Sequence, residues 1–175
     1  MTARLVDPYL AVIRSFNRVG VQYLVVGMSG INYYARQPSE TFATLDYDIF
    51  LKPTLPNVHK AVRRLQALKF LLGTAEGTPV GQDLREMVRT QRTLVATTPD
   101  GLMVELLLAV SGYTFEELAK DAATVVVRGT PVRVGRLTKL LRSKQLADRP
   151  KDRQFLKRYQ SLLLEEERQS GTATD

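Results

Sequence analysis

The sequence predicts an α/β (α+β) protein, a mixed sheet flanked by helices with a helical C-terminal part. Three observations predict it. Between Val25 and Leu51 the chain reads strand, glycine turn, helix, loop, strand. Segments 5–19, 55–72 and 137–167 repeat apolar residues at helical spacing. The apolar runs RTLVATTP and GLMVELLL meet at a Pro99–Asp100–Gly101 turn, a hairpin signal.

At 175 residues the chain suits one domain: a core over about 20–135, C-terminal helices over about 136–167, and a polar tail, 168–175, read as disordered. Hydrophobic residues make up 44% and charged ones 25%, ordinary for a soluble globular protein. The absence of cysteine excludes disulfides and cysteine-based zinc sites. The first residues, MTARLVDPYLAVIRSF, carry Arg4, Asp7 and Arg14 and have no apolar core of signal-peptide type. The longest apolar run, LMVELLLAV, is short and holds a glutamate, so no membrane span is expected and the protein is read as cytoplasmic. A net charge of +7 with a pI near 9.8 attracts polyanions and leaves nucleic acid, nucleotide and acidic protein all open as partners.

The elements follow in order. Leu5, Tyr9, Val12, Ile13 and Phe16 form one helical stripe, and Gly20 ends that helix. A strand over 23–26 runs into a turn at Gly27, and a helix is expected from Ile31 to Ala35, closed by Arg36. QPSETFAT is a polar loop that either carries substrate contacts or simply links. In the strand LDYDIFL, Asp46 and Asp48 share one face, while Leu45, Tyr47, Ile49 and Leu51 face the core. Helix 55–72 lines Val58, Val62, Leu65, Leu68 and Leu72 on one side, with Lys60, Arg63, Arg64 and Lys69 mostly off it. His59, the only histidine, reads as a surface residue, which sets aside a Ser-His-Asp triad or a histidine metal cluster. The glycines of 73–81 are too scattered for a phosphate-binding loop. Beyond the first hairpin come a short helix in GYTFEELAKDA and a second hairpin in VVVRGTPVRV, turning at Gly129. A helix over 137–146 follows, and Pro150 opens the last one, through Glu167.

Two carboxylates on one face of an apolar strand repel each other and are poorly solvated, so both pKa values rise unless a cation offsets them. A hard divalent ion is the simplest remedy. Gly27 lets a strand turn sharply and brings backbone N–H groups near a phosphate at the next helix. Glycine turn and carboxylate pair together suggest a metal-bound polyphosphate. Glu105 is the one charge in LMVELLLAV, and burying it alone would cost roughly 2–7 kcal/mol or protonate it. It therefore pairs with an arginine or joins the site.

On these residues the chain resembles the nucleotidyltransferase superfamily, the polymerase-beta-like fold. That family carries a hydrophobic strand, Gly followed by Gly or Ser, a helix, and an Asp-x-Asp strand some ten to twenty residues on. Gly27, Asp46 and Asp48 match it, and Thr44 stands where the bacterial branch often has Ser or Thr. The second small residue is replaced by Met28, with Ser29 and Gly30 following. KLLRSKQLADRPKDRQFL resembles the C-terminal motif of the abortive-infection type nucleotidyltransferase toxins, carried here onto Lys144, Arg149, Lys151 and Asp152. The resemblance spans roughly residues 23–163.

It implies a nucleotidyltransferase-like sheet and transfer of a nucleoside monophosphate from an NTP, ATP among them, to an acceptor such as tRNA, other RNA or protein. Asp46, Asp48 and Glu105 would hold Mg²⁺ or Mn²⁺. Gly27, Met28, Ser29, Thr44 and Lys144 would bind the nucleotide, with Lys144 neutralising charge at the phosphate and Asp152 fixing Lys144 or aiding the acceptor. In that branch the enzyme is the toxin of a toxin–antitoxin pair, with a cognate antitoxin as partner. The alternative is a binding module for nucleotide or RNA that kept the fold and lost the chemistry. Met28 favours the module; the three carboxylates favour the enzyme. Lys139, Arg142, Lys144, Arg149, Lys151, Arg153, Lys157 and Arg158 crowd the last two helices and suit a long polyanion.

Overall fold

The computed structural model describes residues 7–76 and 84–171, side chains beyond Ser161 excepted. Helix α1, Pro8–Val19, is capped by the Asp7 side chain, which accepts from the Tyr9 N–H at 3.0 Å, and ends at Gly20 with φ +70°. It buries Leu10, Val12, Ile13 and Phe16; Leu5, expected on the same stripe, lies outside the described residues. Then come strand β1, Tyr23–Val25, helix α2, Gly27–Asn32, strand β2, Tyr47–Leu51, helix α3, Leu55–Ala67, and strand β3, Leu71–Thr74. Helix α4, Leu84–Arg89, precedes the hairpin of β4, Leu94–Thr97, and β5, Met103–Leu107. Helix α5, Phe115–Ala119, has a complete capping box from Thr114 and Glu117. The second hairpin is β6, Ala123–Val127, with β7, Thr130–Val134; helices α6, Leu137–Ala147, and α7, Pro150–Gly171, close the chain.

The seven strands form one sheet in the order β3-β4-β5-β2-β1-β7-β6. Strands β2 and β5 run parallel, as do β1 and β7, and the other neighbours are antiparallel, so the sheet is mixed. Tyr47, Ile49 and Leu51 of β2 and Val104 and Leu106 of β5 are buried, and Tyr9 of α1 stacks on Tyr47 at 4.6 Å. On the opposite face Phe50 meets Phe115 of α5 edge-on at 5.5 Å. That opposite face also carries Asp48. The expected α/β architecture, a mixed sheet flanked by helices with a helical end, is the one observed.

Several boundaries differ from the sequence reading. Strand β2 begins at Tyr47, and Leu45 is 90% exposed, because the ladder stops at the Tyr47–Val104 pair and no neighbouring strand covers the residues before it. Helix α2 starts at Gly27 itself and ends at Asn32, since the Gly30 N–H already closes a turn onto the Val26 carbonyl at 2.9 Å. Helix α3 stops at Ala67; Lys69 adopts φ +69°, and Leu72 turns out to belong to β3, paired with Ala96. Gly73 sits in that strand, while residues 77–83 of the glycine-bearing segment lie outside the described residues. Helix α4 has too few residues to show a periodicity and is absent from the sequence reading. Helix α7 continues through Gly171, so 168–171, read as a disordered tail, are helical, and 172–175 lie outside the described residues. Among the described residues no helix is long and apolar enough to cross a membrane.

Candidate active site

Parallel pairing sets Asp48 of β2 directly beside Glu105 of β5. Asp46, two residues before Asp48, keeps the same side of the chain, and one carboxylate oxygen from each of the three lies within 4.8 Å of the others. Asp48 lies in the ladder: its carbonyl accepts from the Val26 N–H at 3.0 Å, and its own N–H donates to the Ser29 hydroxyl at 3.2 Å. Asp46 lies outside the strand and depends on hydroxyls. Ser29 Oγ donates to its carbonyl at 3.2 Å, and Thr44 Oγ1 reaches that carbonyl at 3.0 Å and Asp46 Oδ1 at 2.8 Å.

Burial pushes the Asp48 carboxyl up to about 7; the charges of Asp46 and Glu105 add to this, and Lys144 opposes it. Glu105 is raised too, first by burial and then by Asp46, with Lys151 opposing. Among the described residues no ion pair closes on any of the three. The arginine partner considered for Glu105 is therefore replaced by the aspartate pair. Gly27 makes room for this arrangement. Its φ is +61°, and a Cβ there would stand 2.2 Å from Asp48 Oδ2, so a side chain would be strained and would also displace the carboxylate.

Across from the carboxylates, α6 and the start of α7 bring up a second group. Asp152 is 1% exposed and accepts from Lys144 Nζ at 3.2 Å and from Arg149 Nε at 2.6 Å. Burial alone would raise its pKa, but the Arg149 hydrogen bond and the Lys144 charge outweigh it and hold Asp152 below the usual carboxylate range. Lys144 also sits over the Phe155 ring, 5.1 Å from its centroid.

The two groups face one cavity of about 570 Å³. Gly27, Met28, Thr44, Asp46, Asp48 and Glu105 line one side, and Lys144, Arg149, Lys151 and Asp152 the other. Ser29, expected at the nucleotide, is not in the lining: it is buried, and its hydroxyl bonds the backbone of Asp46 and Asp48. Met28 contributes its half-buried side chain to the wall. An apolar end built by Leu107, Val110, Leu118 and Leu140 was missed in the sequence. Leu140 lies one turn before Lys144 on α6, and that spacing was the available signal. His59 is exposed on α3, as expected.

The basic residues of α6 and α7 are partly neutralised from within. Lys139 pairs with Asp121 at 2.8 Å and Arg153 with Asp148 at 2.7 Å, while Arg142 donates to Gln145 at 3.3 Å. On α3, Arg64 donates to Ser15 Oγ at 2.6 Å and so ties α3 to α1 instead of facing solvent.

No protein-family model matches the sequence, and no curated protein matches it. Solved structures do resemble the fold. The crystal structure of an antigenic nucleotidyltransferase-like protein from Paracoccidioides brasiliensis matches with a TM-score of 0.46 at 15% identity, over 78% of this chain and 63% of that one. This chain thus spans under two thirds of that protein's length. The antibiotic-resistance factor ANT(2'')-Ia, whose solution structure is described as revealing substrate-regulated conformation dynamics, matches with a TM-score of 0.51 at 12% identity, over 93% of this chain and 97% of that one. Likeness across nearly the whole of both chains, at an identity that speaks for the fold alone, gives this protein a nucleotidyltransferase-like fold.

Proposed function

We propose that the protein is a metal-dependent nucleotidyltransferase that moves a nucleoside monophosphate from an NTP to an acceptor and releases pyrophosphate. One observation carries the reading: three carboxylates with oxygens within 4.8 Å, with no cation among the described residues paired to them, face Lys144 and Asp152 across a single cavity. An all-carboxylate donor set, in a chain without cysteine and with its one histidine elsewhere, fits a hard ion such as Mg²⁺ or Mn²⁺. Asp46, Asp48 and Glu105 would hold such ions, which would supply positive charge to the triphosphate and lower the pKa of the acceptor hydroxyl.

The rest of the work falls to the chain. The amides of Gly27 and Met28, which line the cavity at the start of α2, have no carbonyl of that helix four residues back and are placed to receive phosphate oxygens. Replacing a small residue by Met28 leaves that N–H in place. Thr44 holds the Asp46 carboxylate, and the buried Ser29 hydroxyl supports the backbone of both aspartates. Lys144 faces charge developing on the transferred phosphoryl group, and Asp152 holds Lys144 in position. The cavity, about 570 Å³, falls within the range of small-ligand sites.

The acceptor is read as tRNA, another RNA or a protein, and a toxin role opposed by an antitoxin rests on the resemblance of Lys144, Arg149, Lys151 and Asp152 to the toxin motif. Incubation with each labelled NTP, Mg²⁺ or Mn²⁺, total RNA and lysate should put label on one class of macromolecule. No label, together with no Mg²⁺ or Mn²⁺ binding by calorimetry in the presence of nucleotide, would sink the enzyme and leave the binding module.

A further inference from the structure

Of the three carboxylates, Asp46 is held differently. Asp48 and Glu105 sit opposite each other in a β ladder, whereas Asp46 ends the loop 33–46 that joins α2 to β2. The three carboxylates repel one another, and Asp46 is the member with no ladder pairing to oppose it. Ser29 Oγ ties the Asp46 carbonyl to α2, but Thr44, which bonds the Asp46 carboxylate, lies in the same loop, so the loop itself needs a further anchor.

The loop is pinned at Phe42. Asn32, the last residue of α2, donates from Nδ2 to the Phe42 carbonyl at 2.9 Å, and the Phe42 N–H donates to Asn32 Oδ1 at 2.9 Å. So oriented, the Phe42 ring meets Phe155 of α7 edge-on, with centroids 4.8 Å apart at 78°, and the Arg158 guanidinium lies over it at 5.5 Å. Phe155 is buried and is the same ring over which Lys144 sits. Thr44, two residues after Phe42, bonds Asp46.

We infer that Phe42 is a positioning residue, holding the Asp46 loop against the ring that also seats Lys144, so that the acidic and basic sides of the cavity keep one fixed separation. This rests on reading the three carboxylates as a metal site. Without the Phe42 ring the loop keeps its Asn32 bonds but loses its attachment to α7. Asp46 then keeps its Ser29 bond but loses the fixed loop behind it, and its carboxylate is held less firmly beside Asp48 and Glu105.

The test compares the parent protein with Phe42→Ala, Phe42→Leu and Phe42→Tyr. Mn²⁺ affinity is measured by electron paramagnetic resonance, and amide hydrogen exchange is followed without metal. Phe42→Ala should bind Mn²⁺ about 10-fold more weakly, the loss typical of removing a group that orients a ligand. Exchange should accelerate at 43–46 and stay unchanged in β2 and β5. Phe42→Leu serves as the same test if Phe42→Ala does not fold, and Phe42→Tyr should restore both readouts. Parental exchange at 43–46 in the Ala or Leu variant would overturn the inference, as would acceleration spread evenly over the sheet, the mark of a merely structural side chain. A parent protein that binds no Mn²⁺ would remove the metal reading, while the exchange pattern would still decide whether Phe42 holds the loop.

Discussion

The sheet side of the cavity holds Asp46, Asp48 and Glu105 with no cation among the described residues paired to them, whereas the helical side holds Lys144 and Arg149 already paired to the buried Asp152. Both sides bring ionisable groups out of water, and burial pushes on both. The outcomes are opposite. Asp152 stays below the usual carboxylate range because Arg149 and Lys144 contact it, while Asp48 is driven up to about 7 by burial first and then by the like charges of Asp46 and Glu105. The helical side is thus satisfied by its own residues and stabilises the fold. The sheet side is unfavourable until something positive arrives, which is the expected state of a ligand site and not of a structural ion pair.

The comparison breaks most visibly in activity. Asp48→Asn, Asp46→Ala or Glu105→Gln should each lower nucleotide transfer by about 1000-fold, or about 4 kcal/mol of barrier. The melting temperature of the metal-free protein should stay level or rise in all three, because one of several repelling charges has gone. A drop of many degrees in Asp48→Asn would make the sheet side structural and erase the contrast.

The helical side should respond the other way. Asp152→Asn leaves Lys144, whose side chain is 11% exposed, and the more open Arg149 without their shared partner. A loss of about 2–3 kcal/mol follows, or roughly 5–10 °C in melting temperature. A thermal melt within a degree of the parent would show that Asp152 serves chemistry alone.

A pH series sharpens the contrast further. A carboxyl raised in the folded state stabilises most below its unfolded pKa, and that contribution is lost as pH rises through the folded value. For Asp48 the window runs from near 3.8 to about 7. Glu105 acts in the same direction. Asp152, lowered, contributes above its unfolded pKa and loses that contribution only as pH falls through its lower folded value. In chelator, the stability of Asp48→Asn relative to the parent should therefore grow by about 3 kcal/mol between pH 4 and pH 7. A difference that is flat across this window would mean that Asp48 is not raised.

The smallest effect concerns the outer face of the helical side. Arg153 and Asp148 are each 65% exposed, so their ion pair contributes less than about 1 kcal/mol, and Arg142 donates to the neutral Gln145. Reversing Arg142 and Arg153 to Glu should leave the fold intact. It should also flatten the salt dependence of tRNA binding, by a log–log slope of about 0.7 per lost phosphate contact. Unchanged binding across the salt series would make these faces merely solvated and point to a protein or small-molecule acceptor.

Much of this was legible in residue order, for a local reason. Alternation placed Asp46 and Asp48 on one side and Tyr47, Ile49 and Leu51 on the other; Gly20 ended α1, Asp100–Gly101 turned the first hairpin and Gly129 the second. Such signals act over a few residues, through backbone geometry and side-chain period. The same locality explains the errors. Leu45 continues the alternation yet lies in water because its neighbours end at Tyr47, and Leu72 continues the helical spacing of α3 yet pairs with Ala96 in β3.

The sequence by itself determined which residues could carry charge into the sheet and where the chain could turn beside them. Only the tertiary structure decided that Glu105 stands level with Asp48, that the Ser29 hydroxyl bonds the backbone of both aspartates, and that Phe42 reaches Phe155 and, through it, Lys144. Each of these joins residues distant along the chain, and their meeting depends on strand register and on how α6 and α7 fold back over the sheet. No local period or propensity encodes that placement.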